Sequence, residues 1–164
     1  MQYDRKITIS AGSNRRAMTW QAQTMLISEL WARLQAPARG TETLAAYLNM
    51  KKAQQDDLKD VGGFMAGTLS GPRRKANNVT GRDVITLDLD NIPSGGTEDV
   101  LRRVEALGCG YCIYSTRKHS PAAPRLRVLL PTDRTMTADE YEPCARKMAE
   151  YIGLELMEDR KSVV

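Results

Sequence analysis

The chain has 164 residues, 41% of them hydrophobic and 27% charged, with a formal net charge of +4. That length provides for one domain with a real core, and the mild positive charge suits a polyanionic partner without requiring one. No apolar run approaches the ~18 residues of a membrane span, and Met1-Gln2-Tyr3-Asp4-Arg5-Lys6 leads into no apolar signal segment, so the expectation is a cytoplasmic protein with no membrane partner.

Ile7-Thr8-Ile9 reads as a short strand and the polar, basic stretch from Ser10 to Thr19 as a loop. From about Trp20 to Leu34, the apolar residues Leu26, Ile27, Leu30, Trp31 and Leu34 recur at helical spacing, and Pro37 and Gly40 end that element. Thr41 is placed to cap a short amphipathic helix carrying Leu44, Tyr47 and Leu48, and the charged segment from Lys51 to Lys59 is a solvated helix or a linker. Val61-Gly62-Gly63-Phe64-Met65-Ala66-Gly67 lacks the glycine spacing of a standard phosphate loop and reads as a tight backbone crossing. Gly71-Pro72-Arg73-Arg74-Lys75 is a basic turn, either solvated surface or a contact for nucleic-acid phosphates through Arg73, Arg74 and Lys75.

The second half is more regularly patterned. Val84-Ile85-Thr86-Leu87-Asp88-Leu89-Asp90 alternates as a strand, with Ile85, Leu87 and Leu89 on one face and Thr86, Asp88 and Asp90 on the other. Two carboxylates so placed call for a divalent cation, a basic partner or solvent, because side by side they repel. After the turn Pro93-Ser94-Gly95-Gly96, Thr97 is placed to cap a helix with Val100, Leu101, Val104 and Leu107 as its apolar stripe. Tyr111 to Thr116 is a second strand, and Arg125 to Leu130 a third that closes at Pro131, with Arg125 and Arg127 on the face opposite Leu126, Val128 and Leu130. Thr137-Ala138-Asp139-Glu140 is a capping box opening a helix that carries Tyr141, Cys144, Ala145, Met148 and Ile152 and stops at Gly153, before a short last strand from Leu154 to Met157.

Strand, helix, strand, strand, helix, strand is the split βαβ pattern of ferredoxin-like and RNA-recognition-motif folds. The fold class expected is therefore α+β, a βαββαβ palm over 81–164 with a truncated last strand, joined as one compact unit to an N-terminal helical and strand-containing module over 1–80. The first two palm strands, joined through a crossover helix, should run parallel. Asp88, Asp90, Arg125 and Arg127 then share the face away from the helices. The lone histidine, His119, lies with Arg117 and Lys118 in the loop between the second and third strands. Acids opposite arginines can hold cations against a phosphate ester, or simply neutralise one another across strands. Three cysteines, an odd number, argue against a disulfide framework. Cys109-Gly-Tyr-Cys112 would be a redox pair or part of a zinc site with Cys144 and His119, but burial in the core is the expectation.

Asp88-Leu89-Asp90, then Ser115-Thr116-Arg117-Lys118-His119-Ser120-Pro121, then Pro124-Arg125-Leu126-Arg127-Val128-Leu129-Leu130-Pro131, in that order and spacing, resemble the primase–polymerase domains of the archaeo-eukaryotic primase superfamily. They look particularly like the N-terminal domains of phage and mobile-element replication proteins of the virulence-associated protein E type. Lys59-Asp60-Val61-Gly62-Gly63-Phe64 and Arg73-Arg74 are also similar to that group, so the resemblance runs from about residue 41 to residue 157. It implies a DNA primase or polymerase-type nucleotidyltransferase domain using Mg²⁺ or Mn²⁺, single-stranded DNA as template and nucleoside triphosphates as substrates, with a helicase domain or subunit as partner in a bacterial host cytoplasm. Asp88 and Asp90 match the metal-binding acids. His119 matches the histidine on the incoming nucleotide's phosphates, with Lys118 beside it, and Arg125 and Arg127 match the adjacent basic strand. Asp159 falls where a third acid is expected, but the tail from Arg160 to Val164 departs from the family pattern, so the chain is expected to be a truncated fragment with impaired or absent polymerase activity.

Two other readings compete. A catalytically inactive palm would bind single-stranded nucleic acid, with Tyr111 and Tyr114 as stacking candidates. A haloacid dehalogenase-type phosphatase would use Asp88 as nucleophile and Asp90 as acid/base, but it needs a parallel sheet with a further lysine and acids, for which little chain remains.

Overall fold

The computed structural model describes residues 3–157. The chain divides into two compact units, Gln2–Thr80 and a second from Gly81 onward.

In the first unit β1 (Lys6–Gly12) and β2 (Gln21–Leu26) form an antiparallel hairpin, in register from Lys6 opposite Leu26 to Ala11 opposite Gln21. β3 (Gly63–Met65) pairs antiparallel on the other side of β1, giving the order β2-β1-β3. β2 occupies the first part of the stretch whose apolar spacing predicts a helix from Trp20. The helix α1 (Ile27–Leu34) starts only where the spacing itself starts, at the buried pair Ile27 and Leu30. Gln21 to Thr24 carry no apolar stripe of their own, so long-range pairing with β1 decides their conformation. The switch is fixed by Glu29, whose carboxylate accepts the Leu26 N–H at 2.7 Å.

α2 (Leu44–Asn49) is capped by Thr43, which accepts the Ala46 N–H, and not by the Thr41 that the sequence offers two positions earlier. The charged segment is a helix, α3 (Lys52–Lys59), in which Asp56 pairs with both Lys52 and Lys59 at 3.1 Å. Buried Gln55 ties α3 to the end of α2 by donating to the Leu48 and Met50 carbonyls. The glycine-rich segment forms the edge strand β3 and the short β4 (Gly67–Leu69). Its Gly62, at φ +97°, brings the backbone so close to the Gly12 carbonyl that an added Cβ would sit 3.0 Å from that oxygen.

The second unit takes over along β5 (Val79–Leu89), followed by α4 (Thr97–Glu105), β6 (Cys112–Ser115), β7 (Leu126–Met136) and α5 (Ala138–Ile152). β7 lies between β5 and β6 and is antiparallel to both, so β5 and β6 run parallel with β7 between them, as the split βαβ pattern requires. Ile85, Leu87 and Leu89 of β5 and Leu126, Val128 and Leu130 of β7 share one buried cluster with Val100 and Val104 of α4 and with Tyr141, Ala145, Ala149 and Ile152 of α5. The period of two along the strands and the spacing of three and four along the helices thus meet in one core. The fold is α+β and ferredoxin-like.

Several local expectations change. α4 has Gly96 at its N-cap and Thr97 as its first helical residue. β7 does not close at Pro131 but runs on to Met136, because the pairing with β5 jumps from Val84 opposite Pro131 to Arg82 opposite Met136. Proline lacks the ladder donor and is tolerated at such an irregularity. There the Thr132 hydroxyl donates to the Asp83 carbonyl and the Thr135 hydroxyl to the buried Asp83 carboxylate. The short last strand expected from Leu154 is a 3-10 turn, Leu154–Leu156. Gly153 at φ +127° redirects the chain, and Asn91 holds it at two points, N–H to the Leu156 carbonyl and side-chain amide to the Glu155 carbonyl, in place of a ladder. Thr137 and Glu140 make the capping box of α5 as its sequence predicts.

Candidate functional site

The open face of β5 and β7 carries the charged groups. Asp88 is directly opposite Arg127 in the antiparallel register, and Arg127 is directly opposite Tyr114 of β6, so the three form one row across three strands. Arg127 grips Asp88 with both arms, Nε to Oδ1 at 2.5 Å and Nη2 to Oδ2 at 2.9 Å. Its remaining Nη1 donates to the Tyr114 hydroxyl at 3.5 Å, with the guanidinium 6.0 Å from the ring centre. Burial works against the Arg127 cation, but the hydrogen bonds and charge interactions with Asp88 and Tyr114 together outweigh it and hold its pKa above the ordinary value. Burial pushes the Tyr114 hydroxyl up as well, so it stays protonated at neutral pH. Just beyond the ends of both strands, Asp90 and Arg125 form the second pair, Nη1 to Oδ1 at 3.3 Å. The side chains of Asp90 and Arg125 are 28% and 30% exposed, against 50% and 38% for Asp88 and Arg127, so all four remain accessible to a ligand.

His119 is held by backbone. Its N–H donates to the Thr116 carbonyl, Thr116 N–H donates to the Arg125 carbonyl, and Arg125 N–H donates to His119 Nδ1 at 3.1 Å. An Nδ1 that accepts leaves the proton of the neutral ring on Nε2. The loop thus fixes His119 beside the backbone of the arginine that pairs with Asp90, with one N–H donor unused by that tether. The tip of the loop is braced by Ala123 N–H to the Ser120 hydroxyl and by Gly95 N–H, from the turn after β5, to the Pro121 carbonyl. Lys118 sits half-buried in the same turn and forms no ion pair among the described residues.

Asp88, Asp90, Arg125 and Arg127 are therefore brought together by neighbouring strands and their ends, and the loop before β7 tethers His119 to the Arg125 backbone. Arg73, Arg74 and Lys75 belong to the other compact unit, and Asp159 lies outside the described residues. The sequence marks Tyr114 only as an aromatic near the site. Its role as the third member of the Asp88–Arg127 row depends on the register of β6 against β7, which no local pattern encodes.

Mg²⁺ is commonly held by one or two carboxylates together with substrate phosphates. Asp88 and Asp90 present two carboxylates on one face, each paired with an arginine that a cation would displace. Among the described residues there is no cluster of three or more His, Cys, Asp or Glu, so the zinc grouping of Cys109, Cys112, Cys144 and His119 is not assembled. Cys109 and Cys144 are exposed rather than buried in the core, because α5 turns Tyr141 and Ala145 inward in place of Cys144. Cys112 is half-buried, and burial raises its thiol pKa, which opposes a reactive thiolate. Among the described residues no helix is long and apolar enough to cross a membrane.

No curated protein and no solved structure matches the chain. The family model described as the VapE N-terminal domain does, over residues 1–162, which takes in the N-terminal strands and residues 160–162 that the motif resemblance leaves out. With nearly its whole length matched, the chain belongs to the VapE N-terminal domain family.

Proposed function

We propose that the chain is the nucleotidyltransferase-type domain of a phage or mobile-element replication protein, acting on nucleoside triphosphates with single-stranded DNA as template and a helicase domain or subunit as partner. The observation that carries the reading is the pairing of Asp88 with Arg127 and of Asp90 with Arg125 on one accessible face, with His119 tethered to the Arg125 backbone beside it. Membership of the VapE N-terminal domain family supports the replication setting.

Mg²⁺ or Mn²⁺ bound there would polarise phosphate oxygens and lower the pKa of an attacking 3′-hydroxyl. Asp88 and Asp90 would hold it, with Asp159 as a candidate third acid. Arg125 and Arg127 would exchange a carboxylate for a phosphate oxygen, since the Arg fork matches both. His119 would donate Nε2–H to a phosphate oxygen, and Lys118 would add charge in the same turn. Tyr114 would keep Arg127 in line on the sheet.

The antiparallel β5-β7-β6 sheet does not provide the parallel sheet that a haloacid dehalogenase-type phosphatase requires. The two-armed Arg127–Asp88 pair favours one other reading, an inactive palm whose acids are neutralised for structure alone. Incorporation of labelled nucleotide on a primed single-stranded template separates the two. The proposal expects slow, Mn²⁺-dependent incorporation that Asp88→Asn or Asp90→Asn reduces at least ~100-fold. Incorporation that is identical in wild type and both variants would overturn it.

A further inference from the structure

The loop Gly71–Lys75 of the N-terminal unit is built as a surface rather than left as a solvated turn. Trp20 N–H donates to the Pro72 carbonyl at 2.6 Å, the Asn78 side chain donates to the Arg73 carbonyl at 2.9 Å, and Ser70 N–H donates to the Asn78 carbonyl at 2.8 Å. Trp20 is buried on the other side, where Gly12 makes room for it: a Cβ on Gly12 would stand 2.6 Å from the indole. The Arg74 guanidinium lies 5.5 Å from the Trp20 ring centre, a cation–π contact that holds the charge at the surface without neutralising it.

The contrast with other cations of the same unit is instructive. Lys52 and Lys59 share Asp56, and Arg15 sits among Asp56, Asp57 and Asp60. Arg73, Arg74 and Lys75 are exposed, consecutive, and form no ion pair among the described residues. A mobile basic tail would lose much freedom on meeting a ligand, whereas a loop tied at Pro72, Arg73 and Ser70 is already ordered.

We propose that Arg73, Arg74 and Lys75, backed by Trp20, bind the phosphodiester backbone of a nucleic-acid strand. The site deepens the proposed function by assigning the strand a surface, and it rests on that reading only for the use made of the strand. Recognition is of phosphate, independent of base sequence.

The test is fluorescence anisotropy of a labelled oligothymidylate, and of a labelled duplex, against the full chain over a range of salt. For a single strand each lost phosphate contact lowers the slope of log K against log salt by about 0.7. Arg73→Ser with Arg74→Ser and Lys75→Ser should therefore lower it by about 2 and weaken binding roughly tenfold or more at low salt. The double variant Arg73→Ser, Lys75→Ser keeps Arg74 on Trp20, so unchanged tryptophan emission shows an intact loop, and its slope should fall by about 1.4. Loss on the single strand, the duplex or both supports the site and says which form it takes. Affinity and slope unchanged on both would overturn it. DNA binding that depends on the loop, in a chain with no Mn²⁺-dependent triphosphate binding, would sink the proposed function while leaving the loop site standing.

Discussion

Arg127 links three chemistries through one side chain: a two-armed carboxylate contact, a tyrosine hydroxyl and, in the proposed function, a phosphate. The pair it makes with Asp88 is half-exposed, and such pairs contribute about 0–1 kcal/mol to stability. Asp88→Asn should therefore unfold within about 1 kcal/mol of wild type in urea while losing the metal-dependent incorporation that the proposed function expects. A loss of several kcal/mol would mark the pair as structural. Arg127→Gln should weaken triphosphate binding about tenfold or more, since a charge-assisted hydrogen bond contributes about 1.5–3 kcal/mol, a change that calorimetry resolves. At this scale the sequence is informative: strand alternation by itself predicts that Asp88, Asp90, Arg125 and Arg127 share one face. It is silent on which acid meets which arginine, because that is register, and on the Arg125 N–H that fixes the His119 ring.

The elements depend on a few local devices whose removal has a definite size. Gly12→Ala would drive a methyl into the Trp20 ring, and such overpacking costs typically about 1–3 kcal/mol, measurable as a lower urea midpoint. The capping box of α5 carries a pH signature. Arg134 and the Thr137 N–H hold the Glu140 carboxyl down at about 2, below its ordinary value of 4.5. In α3, Lys52 and Lys59 hold Asp56 down at about 2 against an ordinary 3.8. A depressed carboxyl stabilises the folded state fully above its ordinary pKa, and that stabilisation is lost as pH falls towards the folded value. Both contributions should therefore fade between about pH 4.5 and pH 2. Glu140→Gln should melt below wild type at pH 6 and approach it near pH 2; a constant gap would exclude the linkage. Periodicity predicts α4 and α5 because their stripes are long. It misplaces the start of α1, where the hairpin with β1 overrides local spacing, and it predicts a strand at Leu154 where Gly153 and Asn91 impose a turn.

At the scale of the whole molecule, each unit has its own charge pattern. The second unit pairs Asp88 and Asp90 with arginines on one sheet face. The first gathers ion pairs around Asp56 and carries, over a buried tryptophan, a basic loop that forms no ion pair among the described residues. The ferredoxin-like order of the second unit follows from the alternation of strand and helix patterns in the sequence. The β2-β1-β3 sheet of the first was not legible, because β3 is three residues of a glycine-rich segment and β2 lacks apolar alternation. In the proposed function Asp88 and Asp90 hold a divalent cation against a triphosphate. Calorimetric titration of a nucleoside triphosphate into the chain, with and without Mn²⁺, tests it most directly. The account predicts binding that requires Mn²⁺, disappears in Asp88→Asn with Asp90→Asn, and weakens about tenfold in His119→Ala. Binding of equal strength without Mn²⁺, or undiminished in the double variant, would contradict it.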